Sequence, residues 1–174
     1  MISYMPFPLH SAQMPNDKTR HLLHIFPTFS VGGSQIRFGQ LARLHHGRFR
    51  HSVIALDGVD AMRNNLSADL DVKFVPGRRW PKSFFEVFIA METLRKIQPD
   101  VLVTYNWGTF HWWIAKRVFH NLRHIHIEDG FGPEERVQQL PRRVRARRLV
   151  LSDRLTTVVL PSKSLLRLPK LSGE

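Results

Sequence analysis

The sequence predicts an α/β fold, a parallel sheet with helices on both faces, and three observations predict it. Short apolar runs of strand length recur along the chain, most of them closed by Pro or Gly. Segments with helical spacing stand between many of them. Two polar segments, Gly32-Gly33-Ser34-Gln35 and His126-Ile127-Glu128-Asp129-Gly130, follow or end such runs, at the edge where an open parallel sheet holds its ligands.

Leu22-Leu23-His24-Ile25-Phe26, closed by Pro27, suits a buried parallel strand. Gly32-Gly33 then punctuate a loop, and Ser34 is the expected helix N-cap. Phe38, Leu41, Ala42 and His45 follow at helical spacing. His51-Ser52-Val53-Ile54-Ala55-Leu56 is the second expected strand and Asp71-Val72-Lys73-Phe74-Val75 the third. Phe84, Val87, Phe88, Met91 and Leu94 define one apolar helical face, expected to pack in the core. Pro99-Asp100 stop that helix and open a strand at Val101-Leu102-Val103-Thr104-Tyr105. A helix is expected over about Thr109 to Phe119, then a strand from Arg123 to Ile127. A basic helix follows over roughly Pro133 to Leu151, and a last strand over Thr156-Thr157-Val158-Val159-Leu160. Strand and helix thus alternate about six times, which implies right-handed crossovers onto both faces.

Composition bounds the chemistry. The chain has 174 residues, of ordinary size for one domain, and 43% hydrophobic content is enough for a core. A net charge of +12 favours acidic partners: phosphates, nucleotides, nucleic acid or an anionic membrane surface. There is no Cys, so disulfides, thiolate zinc sites and cysteine nucleophiles are excluded. Residues 1–20 carry three Pro and no long apolar run, and are expected to form a flexible lead-in. No stretch approaches the roughly 18 apolar residues of a spanning helix, so membrane contact is expected to be peripheral at most.

Glycine at positions 32 and 33 lets a ligand approach the backbone, and a helix start there supplies N–H groups and partial positive charge for an anion such as a diphosphate. A plain tight turn is the alternative, since the full G-x-G-x-x-G dinucleotide fingerprint is absent. His126 and Glu128 share a face if the strand persists, and polar groups at this edge can bond sugar hydroxyls or act in acid–base chemistry. Glu134 and Glu135 read mainly as helix N-terminal residues beside Pro133. His124-x-His126 lacks an evident third metal ligand, so no metal or other cofactor is expected. His126-x-Glu128 echoes a zinc deaminase signature but lacks its cysteines. Asn106 and Trp107 offer a hydrogen bond and an apolar platform to a sugar ring. They read equally as a loop ending in an N-cap at Thr109, with Trp112 and Trp113 in the core. No G-x-S-x-G elbow is present. Arg142, Arg143, Arg145 and Arg147 surround an apolar stripe; they suit a solvated face or an anionic lipid surface, with nucleic acid a weaker match.

Several segments in order resemble one family. HLLHIFPTFSVGGSQIRFGQLARL resembles the opening strand, Gly-Gly loop and helix of family 4 glycosyltransferases, retaining enzymes of the GT-B fold. IQPDVLVTYNWGTF resembles their fourth strand, RHIHIEDGFGPEE a "VHGEHG" segment of a subgroup that builds surface polysaccharides, and LPSKSLL the close of their N-terminal domain. Ile127 and Asp129 depart from that pattern. The resemblance covers about residues 21–168, leaving a tail at 169–174, and implies a Rossmann-like acceptor-side lobe. It implies that Gly32 and Gly33 approach the donor diphosphate, that His126 is the catalytic candidate at the transferred sugar, and that Asn106 and Glu128 contact the acceptor. The partners implied are a nucleotide-sugar donor, a polysaccharide or lipid-linked acceptor, and a donor-binding domain encoded separately. A lobe without that domain is expected to be inactive alone. The expected setting is cytoplasmic, against the inner face of a membrane. The competing expectation is a non-enzymatic basic module on anionic membrane or nucleic acid.

Overall fold

The computed structural model describes residues 19–76, 85–129 and 153–160. Six parallel strands form one sheet: β1 (Arg20–Phe26), β2 (Phe49–Ala55), β3 (Val72–Phe74), β4 (Val101–Tyr105), β5 (Arg123–Ile127) and β6 (Thr156–Val159). Their order is β3-β2-β1-β4-β5-β6, the doubly wound order in which the chain reverses its lateral direction beside β1. Register is continuous across the centre: Ile25 pairs with Ile54 on one side and Thr104 on the other. Thr104 then pairs with His126, and His126 with Val158.

Strand alternation divides the core into two layers. Phe26, Val53, Val103, Tyr105 and Ile127 lie beneath Phe38 and Ala42 of α1 (Gly33–Leu44). Leu23, Ile25, Ile54 and Leu102 lie beneath Ala90 and Leu94 of α2 (Phe85–Ile97) and Trp112 and Ala115 of α3 (Phe110–Lys116). Each fully buried Leu, Ile or Phe contributes about 2 kcal/mol of transfer free energy. The expected α/β sheet with helices on both faces is therefore observed, and Trp112 and Trp113 are buried, as one of the two alternatives for that segment had it.

Four local differences have physical reasons. The α1 N-cap is Gly32, two residues before the expected Ser34, because Gly32 O already accepts the first helical bond, from Ile36 N–H at 2.9 Å. Leu41 is exposed, because Phe38 and Ala42 define the inward stripe of α1. Phe88 is 66% exposed; it stands about 100° round the helix from Val87, and the buried stripe centres on small Ala90 with Leu94. The β2–β3 connection carries only a one-turn 3-10 segment, Ala61–Asn65, so strand and helix do not alternate throughout. That segment has one buried apolar residue, Met62, too few for an amphipathic helix.

Phe84, the lead-in up to residue 18, Gly130 and the basic stretch with Glu134, Glu135, Arg142, Arg143, Arg145 and Arg147 lie outside the described residues. So do LPSKSLL (all but its Leu160) and the 169–174 tail. No helix among the described residues is long and apolar enough to cross a membrane.

Candidate functional site

The reversal of strand order sends α1 to one face of the sheet and α3 to the other. The loops after β1 and β4 therefore part at the carboxyl edge and leave a crevice between them, the usual ligand position in such sheets. The two loops still touch at their base: a Cβ on Gly108 would meet the Pro27 ring at 3.2 Å.

The β1 side of the crevice is backbone. Gly32 is extended (φ −167°) and starts α1 without a capping side chain, and no acidic residue occupies the first turn. The helix start thus keeps its positive end. Gln35 is buried and its Nε2 donates to Thr28 O at 2.8 Å, which holds the loop against the helix. A Cβ on Gly32 would meet Gln35 Oε1 at 2.8 Å, whereas one on Gly33 would meet no atom within 4 Å. A side chain at position 32 would therefore have to displace the Gln35 amide, whereas Gly33 faces open space.

On the β4 and β5 side, Asn106 has φ +56° and ψ 172°, a positive-φ extended conformation that glycine ordinarily occupies, held here by its hydrogen bonds. Its N–H donates to Ile127 O at 2.8 Å and its Oδ1 accepts the Asp129 N–H at 3.0 Å. Asn106 therefore ties the end of β4 to the end of β5. Thr109 is the N-cap of α3 as expected, yet its hydroxyl donates backwards, to Asn106 O at 2.9 Å. Trp107 stacks on Phe110, with centroids 4.7 Å apart.

One ion pair spans the crevice. Arg37, one turn into α1, donates through Nη1 to Asp129 Oδ1. This contact puts the glycine turn and the end of β5 on the same edge of the molecule. Tyr105 lies beneath; burial first, then the Asp129 charge, raises its phenol well above the usual range, with Arg37 opposing.

His126 and Glu128 stand further back. Both are buried, and Glu128 N–H donates to Val159 O at 3.0 Å, which extends the β5–β6 pairing by one residue. His126 lies on the α3 side of the sheet, where its Nδ1 meets Thr104 Oγ1 at 2.8 Å. His124 meets the same oxygen through Nε2, also at 2.8 Å. The two histidines therefore share a threonine, and no group of three metal-ligating side chains occurs among the described residues.

Gly32, Gly33 and Asn106 thus lie at one carboxyl edge of the sheet, while His126 and Glu128 are buried at the end of β5. Sequence reasoning did not single out Arg37 or Thr104. Arg37 carried one usable signal, a cation one helical turn after a glycine pair. Thr104 carried none, because a Thr within Val-Leu-Val-Thr-Tyr is ordinary strand composition.

No protein-family model matches the chain, and no curated protein matches it. Among solved structures, the chain is similar to a protein described as a UDP-N-acetylglucosamine 2-epimerase from Listeria monocytogenes. The TM-score is 0.57 at 13% identity, covering 90% of this chain and 42% of the other. At that identity the likeness is one of fold: this chain is a Rossmann-like α/β domain, and it spans less than half the length of that structure.

Proposed function

We propose that this domain binds a nucleotide sugar and supplies the acceptor side of a retaining glycosyltransferase of family 4 type. The observation that carries the reading is the uncapped glycine start of α1, which opens on a crevice at the point where strand order reverses. A diphosphate placed there receives backbone N–H groups and the positive end of a 12-residue helix. Arg37 and Asn106 lie on the same rim and offer donors to the remaining polar atoms of the ligand. Likeness to a protein described as acting on a UDP-sugar supports the same ligand class.

Sugar transfer also requires stabilisation of the leaving diphosphate while the acceptor hydroxyl is held against the anomeric carbon. We propose that a second, donor-binding domain completes the cleft, and that this chain alone shows no turnover in a radiolabelled sugar-transfer assay. Binding is tested directly by adding UDP-N-acetylglucosamine, UDP or inorganic diphosphate to the ¹⁵N-labelled chain. The expected result is amide shifts at Gly33, Ser34 and Arg37, retained with UDP and lost in Gly33→Asp. Shifts confined to other parts of the sheet, or none with any of the three, would overturn the reading.

A further inference from the structure

Five polar side chains form one hydrogen-bonded line across the α3 face of the sheet. It begins at Asp153, just before β6. Lys116 Nζ donates to Asp153 Oδ2 at 2.7 Å, and the Leu155 N–H donates to Oδ1 at 3.1 Å. The Thr156 hydroxyl also donates to Oδ2, at 2.9 Å. His124 Nδ1 lies 3.1 Å from Thr156 Oγ1. His124 Nε2 and His126 Nδ1 then each lie 2.8 Å from Thr104 Oγ1. Thr104 and His124 are each only 1% exposed, so water does not reach the middle of the line, while Asp153 at its start is partly exposed.

We infer that Asp153 sets the direction of this line and thereby makes Nδ1 of His126 the protonated nitrogen, leaving Nε2 as the one that accepts a hydrogen bond or takes up a proton. An ionised carboxylate only accepts. Thr156 has one hydroxyl proton and gives it to Asp153, so its oxygen must accept from His124 Nδ1–H. His124 is then neutral with a bare Nε2, which accepts the Thr104 hydroxyl proton. Thr104 has none left, so its oxygen accepts from His126 Nδ1–H. Two properties keep the line running this way. Burial, aided by His126 and Lys116, lowers His124 to about 3, so it does not gain a second proton near neutrality. Burial alone would raise Asp153, but the Lys116, Leu155 and Thr156 hydrogen bonds and the Lys116 charge together hold it at about 2.

Asp153, Thr156, His124 and Thr104 are therefore positioning residues for His126.

The experiment is long-range ¹H–¹⁵N correlation of the imidazole nitrogens in the ligand-free chain near pH 7.5. The expected spectrum shows both His124 and His126 as Nδ1–H tautomers. Thr156→Val removes the acceptor for His124 Nδ1–H; both rings are then expected to switch to Nε2–H, reversing the line. Thr156→Ser keeps the hydroxyl and is expected to restore the original pattern. A wild-type His126 found as Nε2–H overturns the inference without any variant having to fold. So does a Thr156→Val spectrum in which His126 is unchanged. No nucleotide sugar enters the measurement, so failure of the ligand reading and failure of this one are separable.

Discussion

The two sides of the crevice are built in opposite ways. The β1 side is backbone: a glycine turn with no capping side chain and open space at Gly33. The β5 side is buried side chain, with His126, His124 and Thr104 joined in one line and Glu128 buried beside it. An anion needs amides that can be approached, and those tolerate little covering. A ring held in one tautomer needs partners on fixed strands, and those tolerate little solvent. The β5 side should therefore govern stability, and the glycine side ligand binding.

Acidification should break the comparison most strongly. Burial lowers His24 well below its ordinary value, and also lowers His21 and His51; it brings His111 to about 4 and His124 to about 3. A lowered folded-state pKa means that the unfolded chain binds more protons below about pH 6.5. The stabilisation is full above that pH and is lost as pH falls toward the folded values. His124 alone accounts for about 2 kcal/mol between pH 6.5 and 5, and the other four act with the same sign. Urea midpoints measured from pH 7.5 to 5 should fall steadily. Asp153, held at about 2, adds to the loss only below about pH 4.

Thr104→Val should come next. It preserves shape but leaves two buried imidazole nitrogens without their shared partner, for a cost of about 3 kcal/mol. Chemical denaturation measures it, and a cost below that of an ordinary surface substitution would show that the line is not held as described. Lys116→Met should cost about 2 kcal/mol. It strips the cation from a carboxylate that is 13% exposed, less than the loss at a fully buried pair because the Asp153 rim still meets water. The smallest change in stability belongs to the glycine side. Gly33→Asp places a negative charge in open space at a helix start and should raise stability by about 0.5 kcal/mol. The same charge occupies the proposed anion position, so UDP-induced amide shifts should disappear. A variant that is more stable yet does not bind would separate the two sides cleanly.

Much of this architecture was legible in the sequence. Apolar runs such as Leu22–Phe26 and Val101–Tyr105 are too short for helices and are bounded by Pro or Gly, so their strand character follows from length and punctuation. The carboxyl-edge placement of Gly32, Gly33 and Asn106 follows from the same alternation. The facing of helix residues was less legible. Phe88 looked like core because spacing alone cannot show that α2 turns its Ala90 side to the sheet. Burial of the polar residues was least legible. His24, His51 and His124 interrupt or flank apolar runs; His24 meets His51 and Tyr105, 27 and 81 residues away, and His124 meets Thr104, 20 residues away.

The sequence by itself determined the layered α/β class and the position of its glycine turn, because periodicity and backbone freedom are local properties. Tertiary structure alone decided that Arg37 meets Asp129 and that Asp153 connects through Thr156, His124 and Thr104 to His126. Those pairings depend on strand order and register, which bring side chains from distant segments to hydrogen-bond distance and exclude the water that would otherwise satisfy them.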